Sequence, residues 1–348
     1  KLLGMEVSKI KVIPTELGGG FGGKNNVYLE PLAIILSKKS RRPVKMVMSR
    51  NEVFRASGPS PAGRTRVKIG VDEDGNIIAA EAQIDMQSGA FSGCPLAQTT
   101  ITCFTRYDIE NVKVIGHDIT TNRPKVAAYR APGAPVSAFG VESVIDELAK
   151  KLAIDPIDIR LKNAAKEGTK TYYGVTFPQI GFEETLQKAK AHKNYNIPLK
   201  ENQGRGIATG FWMNIGMDTT SSLNINDDGT IAVTVGTIDV AGGSRASLAM
   251  MVAEEFGIDS DKVRVTTGDT SQLGFNFVTA GSRGTFAGGI VSVLAARNAI
   301  EECKVRAAKI WNVRPDEIVW EDGYTRPASS NVGPFDPLSL SDIAKNAT

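Results

Sequence analysis

Two acidic glycine turns, far apart in the chain, constrain its fold more than any other feature. Asp72-Glu73-Asp74-Gly75-Asn76 lies between the alternating runs "RTRVKIGV" and "IIAAEAQIDMQSG". Asp227-Asp228-Gly229 lies between "SSLNIN" and "TIAVTVGTID". Period-two alternation on both sides of an Asp-Gly turn is a strong hairpin signal. Helical periodicity follows each hairpin. Residues 137–155 bring Phe139, Val141, Val144, Ile145, Leu148 and Leu152 to one face, and "SLAMMVAEEFGI" follows the second hairpin. Hairpin then helix, twice, predicts an α+β protein of two related mixed halves.

The remaining stretches fit around that frame. "SKIKVIPTEL" and residues 42–50, "RPVKMVMSR", read as strands, and the run after Lys24 reads as a helix with Pro31 near its start. "VKVIGHDITTN" continues in strand style, and "KVRVTTGD" does so in the second half. Pro156 after Asp155 opens a second helix, with Gly168 beyond its end. The polar stretch at residues 191–206 is the linker candidate, giving domains at 1–195 and 196–348.

Composition excludes several functions. A net charge of +3 without a block of like charges argues against a nucleic-acid groove. Cys94, Cys103 and Cys303 form no CxxC pair, and only His117 and His192 are available as imidazoles. A cysteine zinc site, a disulfide framework and a Ser-His-Asp triad are all disfavoured, and a reducing, cytoplasmic setting is the natural expectation. No apolar run is long enough to span a membrane as a helix.

Chemistry concentrates at four glycine-rich junctions. In "GGGFGGK", Gly18, Gly20 and Gly23 formally satisfy GxGxxG. The acidic residue a dinucleotide site wants about 20 residues on is late, the nearest being Glu52, and antiparallel hairpins follow instead of crossovers. The second junction, "AAYRAPGAP", presents Arg130 from a stiff Pro/Gly turn, either to a ligand anion or to a nearby carboxylate. "TIDVAGGSRAS" and "TAGSRGTFAGG" repeat the glycine-and-hydroxyl pattern before helices, where each could also be only a cap. Together the four suit a large ligand with several polar and phosphate groups.

In order, "GGGFGGK", "RPVKMVMSRNE", "AYRAPGAP…FGVESVIDELAKKLAIDPIDIRLKNAAKEG" and "TAGSRGTFAGG" resemble the molybdenum-binding subunit of the xanthine dehydrogenase/aldehyde oxidase family of molybdenum hydroxylases. The resemblance runs over nearly the whole chain. It implies two molybdenum-cofactor-binding domains, the second cut short, around molybdopterin, commonly its cytosine dinucleotide form in bacteria. The metal would be carried by the pterin dithiolene and by no protein ligand. Gly20, Phe21, Gly22 and Gly23 would lie beside it, with Tyr129, Arg130 and Ala131 near its oxo face and Arg130 the catalytic side chain. Ala241, Gly242 and Gly243 would face the cofactor, and Gly281, Ser282, Arg283 and Thr285 its pterin–phosphate part. The implied reaction hydroxylates an N-heterocycle or aldehyde with water-derived oxygen. Electrons would pass to [2Fe–2S] and FAD partner subunits, since three scattered cysteines cannot ligate two clusters.

Departures from the family pattern bear on function. Ala241-Gly242-Gly243 stands where the family has a glutamine-containing "GQG", Asn25 where purine oxidases carry glutamate, and Val136 where glutamine is common. No glycine-flanked catalytic glutamate occurs before Thr348, so a partial segment, inactive alone and completed by the remaining parts of its subunit, is expected. A non-catalytic cofactor-binding or assembly module, and a nicotinamide-dependent dehydrogenase using the GxGxxG, stay open as alternatives.

Overall fold

The computed structural model describes residues 3–214, 216–329 and 333–346. The chain forms two compact units. A continuous unit comprises Asn26–Met213, and a split unit joins Lys1–Asn25 to Asn214–Thr348.

The continuous unit holds α1 (Glu30–Ser40), α2 (Arg50–Ala56), β1 (Gly63–Val71), β2 (Ile77–Gly89), α3 (Leu96–Ile101), β3 (Asn111–Thr120), α4 (Ala134–Leu152), α5 (Pro156–Lys162), α6 (Phe182–Ala191) and α7 (Lys193–Asn196). The split unit holds β4 (Ser221–Ile225), β5 (Ile231–Val235), α8 (Ser244–Phe256), β6 (Val263–Thr267), α9 (Arg283–Trp311), β7 (Ile318–Glu321), β8 (Tyr324–Pro327), β9 (Leu338–Ser339) and α10 (Leu340–Lys345).

The first hairpin forms where the acidic turn requires it. Asp72 Oδ1 accepts the N–H groups of Asp74 and Asn76 at 3.1 and 2.7 Å, and Gly75 takes φ +84°. β1 and β2 pair antiparallel, with Arg64 opposite Asp85 and Lys68 opposite Glu81. On the other face of β2, Ala80, Ala82, Ile84 and Met86 are buried against Val141, Ile145 and Ala149 of α4. Truncating a fully buried Ile145 to alanine costs about 2–5 kcal/mol. Phe139 does not join this face and is exposed.

The β1–β2 and β4–β5 hairpins each gain a third, parallel strand. β3 pairs with β2, and β6 pairs with β5, each reached through a helix that packs on it, α3 in one unit and α8 in the other. Parallel neighbours require such a crossover. α4 then returns over β1, as α9 returns over β4. The order hairpin, helix, parallel strand, helix thus occurs in both units, which makes the chain a pair of related α+β domains. The second core sets Ile231 and Val233 of β5 against Val252 and Phe256 of α8 and against Ala296 and Ile300 of α9.

Two expected strands are absent as ladder members. Residues 42–50 run without a partner strand into α2, which Ser49 and Glu52 open by reciprocal bonds of 3.3 and 2.7 Å. In the other, Val12 pairs with a loop instead of a strand. It donates to Thr270 Oγ1 at 3.0 Å and accepts the Thr270 N–H at 3.2 Å. Neither segment meets a free sheet edge, so alternation alone produces no sheet. The polar stretch at 191–206 begins with α7 and is tied back by Tyr195, whose hydroxyl donates to Asp155 Oδ2 at 2.8 Å.

Candidate functional site

In the split unit three of the four glycine-rich junctions meet around the extension of β5. Ile238 donates its N–H to Thr279 Oγ1 at 3.1 Å. Thr237 lies against α9, where a Cβ on Gly288 would approach its Oγ1 to 3.0 Å. On the other side, a Cβ on Gly20 would lie 3.7 Å from Val240. The stretches around Gly20, Gly242 and Ser282 therefore share one neighbourhood. The Arg130 turn belongs to the continuous unit.

The first loop closes as a tight turn, with Gly23 N–H donating to the Gly20 carbonyl at 2.8 Å. Phe21 and Gly22, its central residues, both have positive φ, +49° and +97°. A phenylalanine in the left-handed region is strained, and its surroundings must hold it there. The ring is exposed and lies over Gly19, where a Cβ would come within 2.7 Å of it. Lys24 Nζ donates to the Leu17 carbonyl across the loop's base, and Asn25 stands exposed at its exit. No ladder strand leads in, and α1 begins only at Glu30, so the strand–turn–helix context of a dinucleotide fingerprint is missing.

At the second loop Ala241 and Gly243 have φ of +62° and +72°, and α8 starts without a side-chain N-cap. The loop's amides are taken by a residue that sequence reading passed over. Asp239 accepts Gly242 N–H at 3.0 Å and Arg245 N–H at 3.3 Å. Partial burial pushes the Asp239 pKa up, but the Arg245, Gly242 and Gly243 amides and the Arg245 charge bring it below the usual range. Arg245 Nη2 also donates to Glu16 at 2.7 and 2.8 Å. A Cβ at Gly242 would meet nothing within 4 Å.

At the third loop Gly281 and Ser282 both have φ +61°, and α9 begins with no side-chain cap. Ser282 and Thr285 are exposed. Arg283 is not, because its guanidinium turns inward. It donates to the carbonyls of Gly216, Phe277, Met217 and Asp218 at 2.6, 2.9, 2.9 and 2.8 Å, and to Thr219 Oγ1. Residue 283 has only its main chain to offer a ligand.

In the continuous unit, Ala131 and Gly133 repeat the pattern of Ala241 and Gly243, with φ +51° and +82° before an uncapped α4. A Cβ on Gly133 would sit 1.8 Å from Thr99 Oγ1, so close helix packing requires glycine there. Tyr129 and Arg130 are exposed, and the Arg130 guanidinium has no hydrogen-bond or ion-pair partner among the described residues. The carboxylate partner considered from sequence is not supplied by them.

Among the described residues no group of three His, Cys, Asp or Glu is placed to hold a metal ion. Burial pushes the Cys94 and Cys303 thiols up to about 11 and Cys103 to about 12, away from the thiolate a metal needs. No helix among the described residues is long and apolar enough to cross a membrane.

Two models of a molybdopterin cofactor-binding domain match the chain, over residues 1–164 and 177–348. The xanthine dehydrogenase molybdenum-binding subunit of Escherichia coli O157:H7 is 31% identical over 304 residues, covering 77% of this chain and 38% of the relative. The chain belongs to the molybdenum hydroxylases. The nicotinate dehydrogenase large molybdopterin subunit of Eubacterium barkeri is 33% identical over 54% of the chain and 45% of its own length. Quinoline 2-oxidoreductase of Pseudomonas putida 86 shares the fold, with TM-score 0.85 at 22% identity over 95% of this chain and 46% of that one. The segment thus spans less than half the length of these hydroxylase relatives.

The donor chemistry suits the family's cofactor. In the split unit, exposed hydroxyls at Ser282 and Thr285 and a long helix opening without a cap favour a polar, phosphate-bearing molecule.

Proposed function

We propose that this chain is the cofactor-holding portion of a molybdenum hydroxylase that oxidises an N-heterocycle or an aldehyde. The meeting of three glycine-rich turns around residues 237–240 carries this reading. Such a cluster suits a large polar molecule approached by main chain. When bound, the molybdopterin group, here in its cytosine dinucleotide form, supplies oxygen transfer from water and takes up the electron pair.

The chain's own residues hold and shape. Gly281, Ser282 and Thr285 grip the pterin–phosphate part through main chain and hydroxyls, as does the main chain of Arg283. The Gly20–Gly23 turn brings its backbone close to the reacting end, and Phe21 walls it from water. Ala241, Gly242 and Gly243 border the same space. In the continuous unit, the Tyr129 and Ala131 main chain presents Arg130, whose exposed guanidinium would steady the charge of an anionic group. Asn25 contacts substrate in place of the acid purine oxidases use. Electrons leave to [2Fe–2S] and FAD subunits.

Metal and pterin analysis of the complex purified with the full-length polypeptide tests the proposal. Molybdenum and pterin should both be present, and activity on N-heterocycles or aldehydes should track their content. A complex that hydroxylates such substrates without molybdenum would overturn the assignment. A complex that binds the pterin and never turns over would favour a carrier or assembly role.

A further inference from the structure

The α8 N-terminus is occupied from within. Asp239 Oδ1 and Oδ2 accept the Gly242 and Arg245 amides, and Arg245 Nε lies 3.8 Å from Oδ2. The same guanidinium, through Nη2, holds Glu16, which precedes the Phe21 turn by a few residues. Two further ties fix this N-terminal segment in the split unit. Lys11 Nζ pairs with Asp269 at 2.8 Å, and Val12 and Thr270 exchange the bonds described above. Both lie upstream of Glu16, so of these three ties the Glu16–Arg245 ion pair stands nearest the turn in sequence.

We propose that Asp239, Arg245 and Glu16 form a positioning relay that sets the Phe21 turn against the Ala241–Gly243 turn. Asp239 serves as a resident anion. By filling the amide cradle it fixes where Arg245 leaves α8, and Arg245 in turn fixes Glu16 and the strained turn behind it. Two consequences follow. The Ala241–Gly243 turn borders its ligand by shape, and a phosphate or other anion is repelled from it by the carboxylate already there. This inference rests on the proposed function only for what the two turns face.

Hydrogen exchange read peptide by peptide, on the full-length polypeptide with and without cofactor, is the test. Glu16→Gln removes one exposed charge and should accelerate exchange of residues 18–25 about threefold, as a surface ion pair is worth. Asp239→Ala should accelerate residues 240–246 about tenfold, the scale of a lost helix cap, and residues 18–25 along with them. Arg245→Lys should rescue part of what Arg245→Ala loses at residues 18–25. If residues 18–25 exchange unchanged in Glu16→Gln and Arg245→Ala, the relay is refuted and Asp239 is a local cap. Should Asp239→Ala open the whole split unit, Glu16→Gln alone decides. Molybdenum content tests the function separately, so either idea can fail alone.

Discussion

Arg160 Nε donates to Glu142 Oε2 across 2.8 Å, with neither side chain more than 4% exposed. Arg106 Nε binds the other carboxylate oxygen at 2.9 Å, the Tyr107 hydroxyl donates to it at 2.6 Å, and Thr209 N–H reaches Oε2 at 2.8 Å. One acid on α4 thereby ties α5, the turn that follows α3 and the segment around Thr209 together. Glu142→Ala leaves the buried Arg106 without its counter-ion and Arg160 with Asp146 alone, and should cost about 3–5 kcal/mol. Urea denaturation of the full-length polypeptide measures this, and a loss under 1 kcal/mol would show the network to be incidental.

The same acid sets a pH dependence. Burial pushes the Glu142 pKa up, but Arg106 and Arg160, and then the Tyr107 hydroxyl, bring it below the usual range. A depressed carboxylate stabilises the fold fully above its unfolded pKa, about 4.3, and loses that contribution as pH falls through the folded value. The gap in urea midpoint between the parent and Glu142→Gln should therefore be widest near neutrality and narrow as pH drops below about 4. An unchanged gap from neutral pH down to acid would assign the stabilisation to something other than charge.

Arg283→Lys tests whether residue 283 is structural. A lysine has one nitrogen for acceptors that a planar guanidinium reaches together. The expected loss is about 2–4 kcal/mol, from carbonyls left without donors. Exchange should rise first at residues 216–219. A variant as stable as the parent would show that the main chain there needs no clamp.

Gly242→Gln places at this turn the residue that the sequence resemblance leads one to expect there. Because a Cβ there meets nothing and residue 242 is not among the positive-φ positions, stability should change by less than about 1 kcal/mol. If the turn borders a cofactor, the glutamine should alter cofactor retention or the split between kcat and KM. No effect on any of these would separate the turn from the site.

Much of the scaffold is legible in the residues. Asp72 and Gly75 dictate their hairpin by local bonding, and Val141 and Ile145 announce the buried face of α4 by spacing. Glycines at 22, 133, 243 and 281 mark backbone that turns through positive φ. What escapes is long-range or directional. Glu142 sits in a helix where an acid ordinarily faces water, and Arg106 and Arg160 flank it from other elements. Composition cannot say that Arg283 points inward while Arg130 points out, because each follows from what the surrounding carbonyls leave unsatisfied. Alternation at residues 42–50 lacked only a neighbouring edge. Asp239, three residues before Gly242, carried a faint signal as a short acid able to bond forward into a turn.

The split unit also has a consequence for the order of events during synthesis. Its first 25 residues leave the ribosome before the whole continuous unit, and their partners, from Asn214 onward, leave after it. Thr270 and Arg245, which receive Val12 and Glu16, do not yet exist while the continuous unit is folding. The Phe21 turn is therefore made before the continuous unit and seated only after it, and a cofactor that needs it must be loaded late.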